Sequence, residues 1–156
     1  MLASTIISYA VPPLTLKDSG DKALNWMSDF HIRHLPVLNK GKFLGILSEE
    51  EVLNFENPEL AIDRNNPDLI HKSVYANQHL YDVMKLIVDT GLTIVPVIDN
   101  DNNFLGLITL ESLIKFFSET VALTQPGGII ILEVLPRDYS LAEIARIVES
   151  ENTKIL

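Results

Sequence analysis

Side chains equipped for chemistry fall in four short constellations. Two place a hydroxyl three residues ahead of a second polar side chain where a strand runs into a helix: Ser48-Glu49-Glu50-Glu51 and Thr109-Leu110-Glu111-Ser112. Taken from the residues alone, Ser48-x-x-Glu51 is a capping box, in which serine and glutamate side chains satisfy helix-end N–H groups, worth about 1 kcal/mol to the helix. Thr109 reads likewise as an N-cap. The third constellation, His31-x-x-His34, has the spacing of a metal pair. His31 falls at a helix end and His34 at a strand entry, so the rings are expected to diverge, and no further ligands stand at useful spacing. The fourth, Asp99-Asn100-Asp101-Asn102-Asn103, lacks the spaced oxygens and glycine of a calcium loop and reads as a hairpin turn. No phosphate-cradling Gly-rich loop, nucleophile elbow or zinc-protease motif is present. The chain is expected not to be an enzyme; metal-dependent turnover would need clustered ligands.

Composition narrows the classes further. Twelve basic against twenty-one acidic side chains give a net charge of −9, which repels nucleic acid and anionic membrane because the basic residues do not cluster. An apolar content of 47% suits a globular core. The absence of cysteine excludes disulfides, thiolate catalysis and Cys-based zinc sites. The apolar stretch over 2–14 is broken by Ser4, Thr5 and Ser8, lacks a basic leader, and runs into Pro12-Pro13, a poor signal peptide. No apolar run approaches the roughly 20 residues of a membrane helix, so a cytoplasmic location is expected.

The elements that must position these groups occur twice. Leu35-Pro36-Val37-Leu38 followed by Phe43-Leu44-Gly45-Ile46-Leu47-Ser48 returns as Val95-Pro96-Val97-Ile98 followed by Phe104-Leu105-Gly106-Leu107-Ile108-Thr109. The offset is 60 positions at the prolines and 61 at the glycines, so one residue has been inserted between them. Upstream, Ala23, Leu24, Met27 and Asp29 recur as Val83, Met84, Ile87 and Asp89. Such a repeat implies two equivalent halves burying their faces together, with related clefts. Periodicity predicts, in the first copy, a strand at 14–16 and a helix over 21–30 capped by Asp18 or Ser19. Its buried stripe is Ala23, Leu24, Met27 and Phe30, with Trp26 beside it. A hairpin over 35–47 and a helix over 49–55 follow. The second copy has a start near 73–75 and a helix over 80–90 presenting Leu80, Val83, Met84, Ile87 and Val88 and stopped by Gly91. Strands at 94–98 and 104–109 and a helix over 110–121 complete it. A polar linker of about 15 residues, with a helical turn near Leu60, separates the copies.

This order of apolar-Pro-Val-apolar strand, turn, apolar-Gly-apolar-apolar-Ser/Thr strand and immediate helix, twice over roughly residues 14 to 117, resembles a tandem cystathionine-β-synthase (CBS) domain pair, a Bateman module. The implied fold class is α/β, two β-α-β-β-α repeats, and the implied function is sensing by a regulatory module, with no cofactor required and an adenine nucleotide or related adenosine compound as ligand in clefts between the repeats. A homodimer is implied as well, with neither nucleic acid nor membrane as partner. In pairs that bind adenosine ligands the hydroxyl and helix N-terminus meet phosphate, and an Asp three residues on accepts from the ribose. The matching residues are Ser48 and Glu51, then Thr109 and Ser112. Both copies depart from the pattern. Glu51 carries its carboxylate on a longer arm, and Ser112 cannot accept bidentately. Glu49, Glu50 and Glu51 compete with an incoming phosphate for the first-turn N–H groups, so Arg33 and His34 are the basic neighbours that the first cleft would use. Their counterparts Thr93 and Ile94 are uncharged. On this reading the first cleft, with Ser48, Arg33 and His34, is favoured. A constitutive dimerisation scaffold with empty clefts is the alternative.

Beyond the pair, residues 125–128 read as a linker, 129–134 as a strand, Ser140-Leu141-Ala142-Glu143 as a capping box, and 141–151 as a helix burying Leu141, Ile144, Ala145, Ile147 and Val148, followed by a strand from 153. This resembles the opening half of an ACT-like βαββαβ domain, although Pro136-Arg137-Asp138-Tyr139 replaces the usual glycine. The division expected is 1–65 for the first repeat with its N-terminal segment, 66–124 for the second, and 125–156 for the partial ACT-like segment. A half-made fold leaves strand edges uncovered, so the chain is expected to be a truncated form of a longer protein.

Overall fold

A computed structural model describes residues 1–120, 133 and 140–150. Apart from Glu133, the linker and strands expected over 125–134 and from 153 lie outside the described residues.

Two three-stranded sheets follow from the repeated hairpin. In the first, β1 (Leu14–Thr15) runs parallel to β2 (His34–Asn39), and β2 is antiparallel to β3 (Lys42–Ser48). In the second, β4 (Val74–Tyr75), β5 (Ile94–Ile98) and β6 (Phe104–Thr109) repeat that order. A proline stands inside each central strand, where a missing N–H would normally break the ladder. The sheets tolerate it because β1 reaches only Val37 and Leu38, and β4 only Val97 and Ile98, just past Pro36 and Pro96. Each hairpin slips register at the same place, between Val37 and Leu38 and between Val97 and Ile98.

Between the first two strands of each sheet lies an amphipathic helix, α1 (Gly20–Asp29) in the first copy. Ser19 caps it, accepting from the Lys22 N–H at 3.2 Å. Ala23 and Met27 are buried, Leu24 and Trp26 half-buried, and Lys22 lies 4.4 Å over the Trp26 ring. Phe30, expected in the stripe, lies past the helix end and is 37% exposed. α2 (Glu49–Leu53) follows β3 and α3 (Ile62–Asn65) lies in the linker. α4 (Leu80–Thr90) ends at Gly91, whose φ of 68° is the left-handed conformation that glycine adopts without steric cost. Leu80 and Val83 are buried, but Met84 and Val88 are exposed, Val88 by 82%. Their stretch of the expected stripe has no covering element among the described residues. α5 (Leu110–Thr120) closes the second copy, and α6 (Leu141–Ser150) is the described part of the C-terminal segment. Ser140 Oγ accepts from the Glu143 N–H at 3.4 Å, as a cap should. Ile144, Ala145 and Val148 are half-buried, whereas Leu141 and Ile147 are exposed, contrary to expectation. Residues 1–116 and 117–156 form two compact units.

Within the first unit the chain ahead of each repeat pairs with the other repeat. Ser8 and Leu107 exchange N–H···O=C bonds of 2.7 and 3.1 Å, and the Ala3 and Ser4 N–H groups donate to Gln78 and Ala76. Ile46 and Ile70 exchange two bonds of 2.9 Å on the first sheet. The linker is therefore not merely polar spacer. Ile62 is fully buried, and the backbone of 58–63 bonds to Leu16, Asp18 and Asp21. The core is correspondingly common to both copies: Leu14, Met27, Leu35, Ile46 and Leu47 share one cluster with Leu92, Ile94, Ile98 and Leu107.

Candidate functional site

Each strand-to-helix junction opens onto a cleft. In the first repeat, Ser48 Oγ accepts from the Glu51 N–H at 3.1 Å, which fixes the start of α2. The Glu51 carboxylate, however, turns to the linker and accepts from the Asp68 N–H at 2.9 Å. The longer glutamate arm reaches a free backbone donor there, so the expected reciprocal box is only half made. A cleft of about 370 Å³ lies beside it, lined by Arg33, His34, Ser48, Glu49, Glu50, Leu53 and Asn54. Arg33, His34 and Ser48 thus come together, but with two glutamates at the helix N-terminus facing the same space.

In the second repeat the reciprocal arrangement appears where it was not expected. Thr109 Oγ1 accepts from the Ser112 N–H at 3.1 Å, and Ser112 Oγ accepts from the Thr109 N–H at 3.0 Å. The short serine side chain returns to the cap, its hydroxyl also donating to the Thr109 carbonyl at 2.8 Å. The adjoining cleft is larger, about 500 Å³, and Thr109, Glu111 and Ser112 share its lining with Lys115 of α5. The cleft is lined as well by Ser8, Ala10 and Val11 of the N-terminal segment and by Phe30, His31 and Ile32 of the first repeat. Apart from His31, these residues and Thr93 carry no motif. Only the repeat hinted at Thr93, as the counterpart of Arg33. His31, at a left-handed φ of 53°, faces the second cleft while His34 lines the first.

A cross-repeat contact joins a residue that lines the first cleft to one that lines the second. The Thr93 N–H donates to His34 Nδ1 at 3.2 Å, the Thr93 hydroxyl lies 3.0 Å from the same nitrogen, and that hydroxyl accepts from the Arg33 N–H at 3.1 Å. Half-burial holds the His34 imidazole below its ordinary pKa, the Arg33 cation adds to this, and Glu49 opposes it.

The family model for the CBS domain matches residues 4–57 and again 65–119. The chain belongs to the CBS domain family. An inosine-5'-monophosphate dehydrogenase of Methanocaldococcus jannaschii is 24% identical over 117 residues, 72% of this chain but 23% of its own length. This chain spans about a third or less of the curated relatives it matches. Among solved structures, a CBS domain pair/ACT domain protein from Thermotoga maritima superposes with a TM-score of 0.65 at 16% identity, over 78% of this chain and 99% of that one. CBSX2 in complex with AMP superposes with a TM-score of 0.63 at 15% identity, over 80% of this chain and 98% of that one. The fold is that of a tandem CBS pair, and each repeat contributes one strand-to-helix junction. No described helix is long and apolar enough to cross a membrane.

Proposed function

We infer that this CBS pair is a non-enzymatic regulatory module that senses an adenosine-type ligand such as AMP, ADP or ATP, and that the second-repeat cleft is its principal site. The observation that carries this reading is the 500 Å³ cleft walled by both repeats and by the N-terminal segment, with the Thr109 hydroxyl and the start of α5 on one side. A helix N-terminus favours phosphate, and a hydroxyl has a proton to donate as well as lone pairs. Ser48, Arg33 and His34 form a second, smaller site, where two glutamates, Glu49 and Glu50, disfavour a polyphosphate more than the single Glu111 of the larger cleft. The Glu51 carboxylate is engaged by the linker through the Asp68 N–H. The AMP complex of a protein with the same fold supports the ligand class. A ligand that touches both repeats stabilises one arrangement over another in proportion to its differential affinity, which is how such a module regulates.

A thermal-shift and calorimetry panel with AMP, ADP, ATP, adenosine, S-adenosylmethionine and NAD, with and without magnesium, tests this. One compound is expected to raise the melting temperature saturably. Thr109→Val is expected to weaken its binding about 10- to 100-fold, the range for one hydrogen bond to a charged group, with Ser48→Ala affecting it little. No shift with any compound favours the constitutive scaffold instead.

Homodimerisation belongs to the same reading. Val88 on α4 and Ile114 on α5 are 82% and 70% exposed, and Met84 and Leu110 on the same helices are also open. Sedimentation equilibrium is expected to give twice the chain mass, and Val88→Asp with Ile114→Asp to return it to that of one chain. A monomeric wild-type protein overturns the dimer.

A further inference from the structure

The contact between His34 and Thr93 has the chemistry of a switch. A backbone N–H can only donate, so the Thr93 N–H fixes Nδ1 as acceptor and puts the neutral ring's proton on Nε2. The partners stand one position apart in the repeat: His34 opens β2, and Thr93, the counterpart of Arg33, immediately precedes Ile94 at the start of β5. His34 faces the first cleft and Thr93 the second. We propose that His34 and Thr93 form a proton-sensitive latch between the repeats, closed when the imidazole is neutral and opened when Nδ1 takes up a proton.

Protonation reverses the role of Nδ1. The Thr93 N–H then loses its acceptor, and the imidazolium can meet only the Thr93 hydroxyl, by donating to it. That hydroxyl also accepts from the Arg33 N–H, so its own proton must turn elsewhere. The charged groups around the ring are Arg33, beside it in the chain, and Glu49 and Glu50 at the start of α2 in the same cleft. Thr93, from the second repeat, brings no charge. Arg33 and half-burial oppose the added proton, Glu49 favours it, and the balance keeps the closed form at neutral pH. Between the ordinary imidazole value, about 6.5, and the lower value in the folded protein, the unfolded chain binds a proton that the folded chain refuses. Folding stability therefore falls as pH is lowered through that window and levels off below it. Because Thr93 also walls the second cleft, the latch reports proton concentration to that cleft. The inference stands on the interface alone, whether or not a nucleotide binds.

The test is a pH titration of the full chain by NMR, following the His34 imidazole and the Thr93 amide together. The expected result is one shared midpoint, below the ordinary imidazole range, with about tenfold loss of exchange protection at the Thr93 amide on its acid side. His34→Asn offers a carbonyl oxygen that accepts without titrating, and its Thr93 amide is expected to stay put across the same range. A Thr93 amide that does not follow the wild-type imidazole overturns the latch. So does an amide that moves equally in folded His34→Asn.

Discussion

Gly106→Ala is expected to destabilise the pair by about 2–6 kcal/mol, the sum of a strained backbone and an overpacked contact. Gly106 has a φ of 142°, where a side chain is strained whatever the space around it. A Cβ there would also run into Ile7 Cγ2 and meet Tyr9 Cε1 at 3.1 Å and Ser8 O at 3.3 Å. Those neighbours cannot withdraw cheaply, because Ser8 is held by its two backbone bonds to Leu107. Gly45 is the internal control. Its added Cβ would lie 2.6 Å from Leu69 Cβ, but its φ is not positive, so Gly45→Ala carries overpacking alone, about 1–3 kcal/mol. Urea unfolding of the two variants checks both values. A Gly106→Ala protein within about 0.5 kcal/mol of wild type, the scatter of ordinary surface changes, refutes the account of the N-terminal segment. Since Ser8, Ala10 and Val11 wall the larger cleft, the same variant is expected to weaken any ligand bound there.

Ile94→Ala is expected to cost a similar amount, about 2–5 kcal/mol, and to destabilise both repeats at once. Ile94 is completely buried in β5 and belongs to a cluster that contains Leu35, Ile46 and Leu47 of the first repeat. A cavity in a shared core lowers the stability of everything that unfolds with it. Native-state hydrogen exchange is the decisive measurement, because it reads the repeats separately. The Ile46 amide in the first sheet and the Leu107 amide in the second, bonded to Ile70 and Ser8, are expected to lose protection by the same factor. Loss at Leu107 alone would mean that the repeats open independently, which leaves no common body through which one cleft could influence the other.

Both expectations rest on features of unequal legibility. Local rules carried the elements. A serine ahead of an apolar stripe marked α1, Gly91 marked the end of α4, and Pro-Val strands followed by an apolar-Gly strand marked both hairpins; the repeat made each identification support the other. The candidate residues were partly legible. Ser48 and Thr109 stand at their helix starts because capping is decided within four residues. The fate of Glu51 and Ser112 was not readable, since it turns on whether a distant backbone donor, the Asp68 N–H, comes within reach of the side chain.

What the sequence by itself determined is therefore the repeated α/β unit, its caps and stops, and the hydroxyls at two strand-to-helix junctions, all set by short-range sterics and periodicity. The tertiary structure alone decided that residues 1–8 pair with the second repeat and Ile70 with the first. It also decided that Thr93 meets His34, that the larger cleft belongs to Thr109, and that Val88 stays exposed. Each of these depends on which surfaces meet across tens of residues of chain, and an apolar or polar side chain carries no local mark of its eventual neighbour.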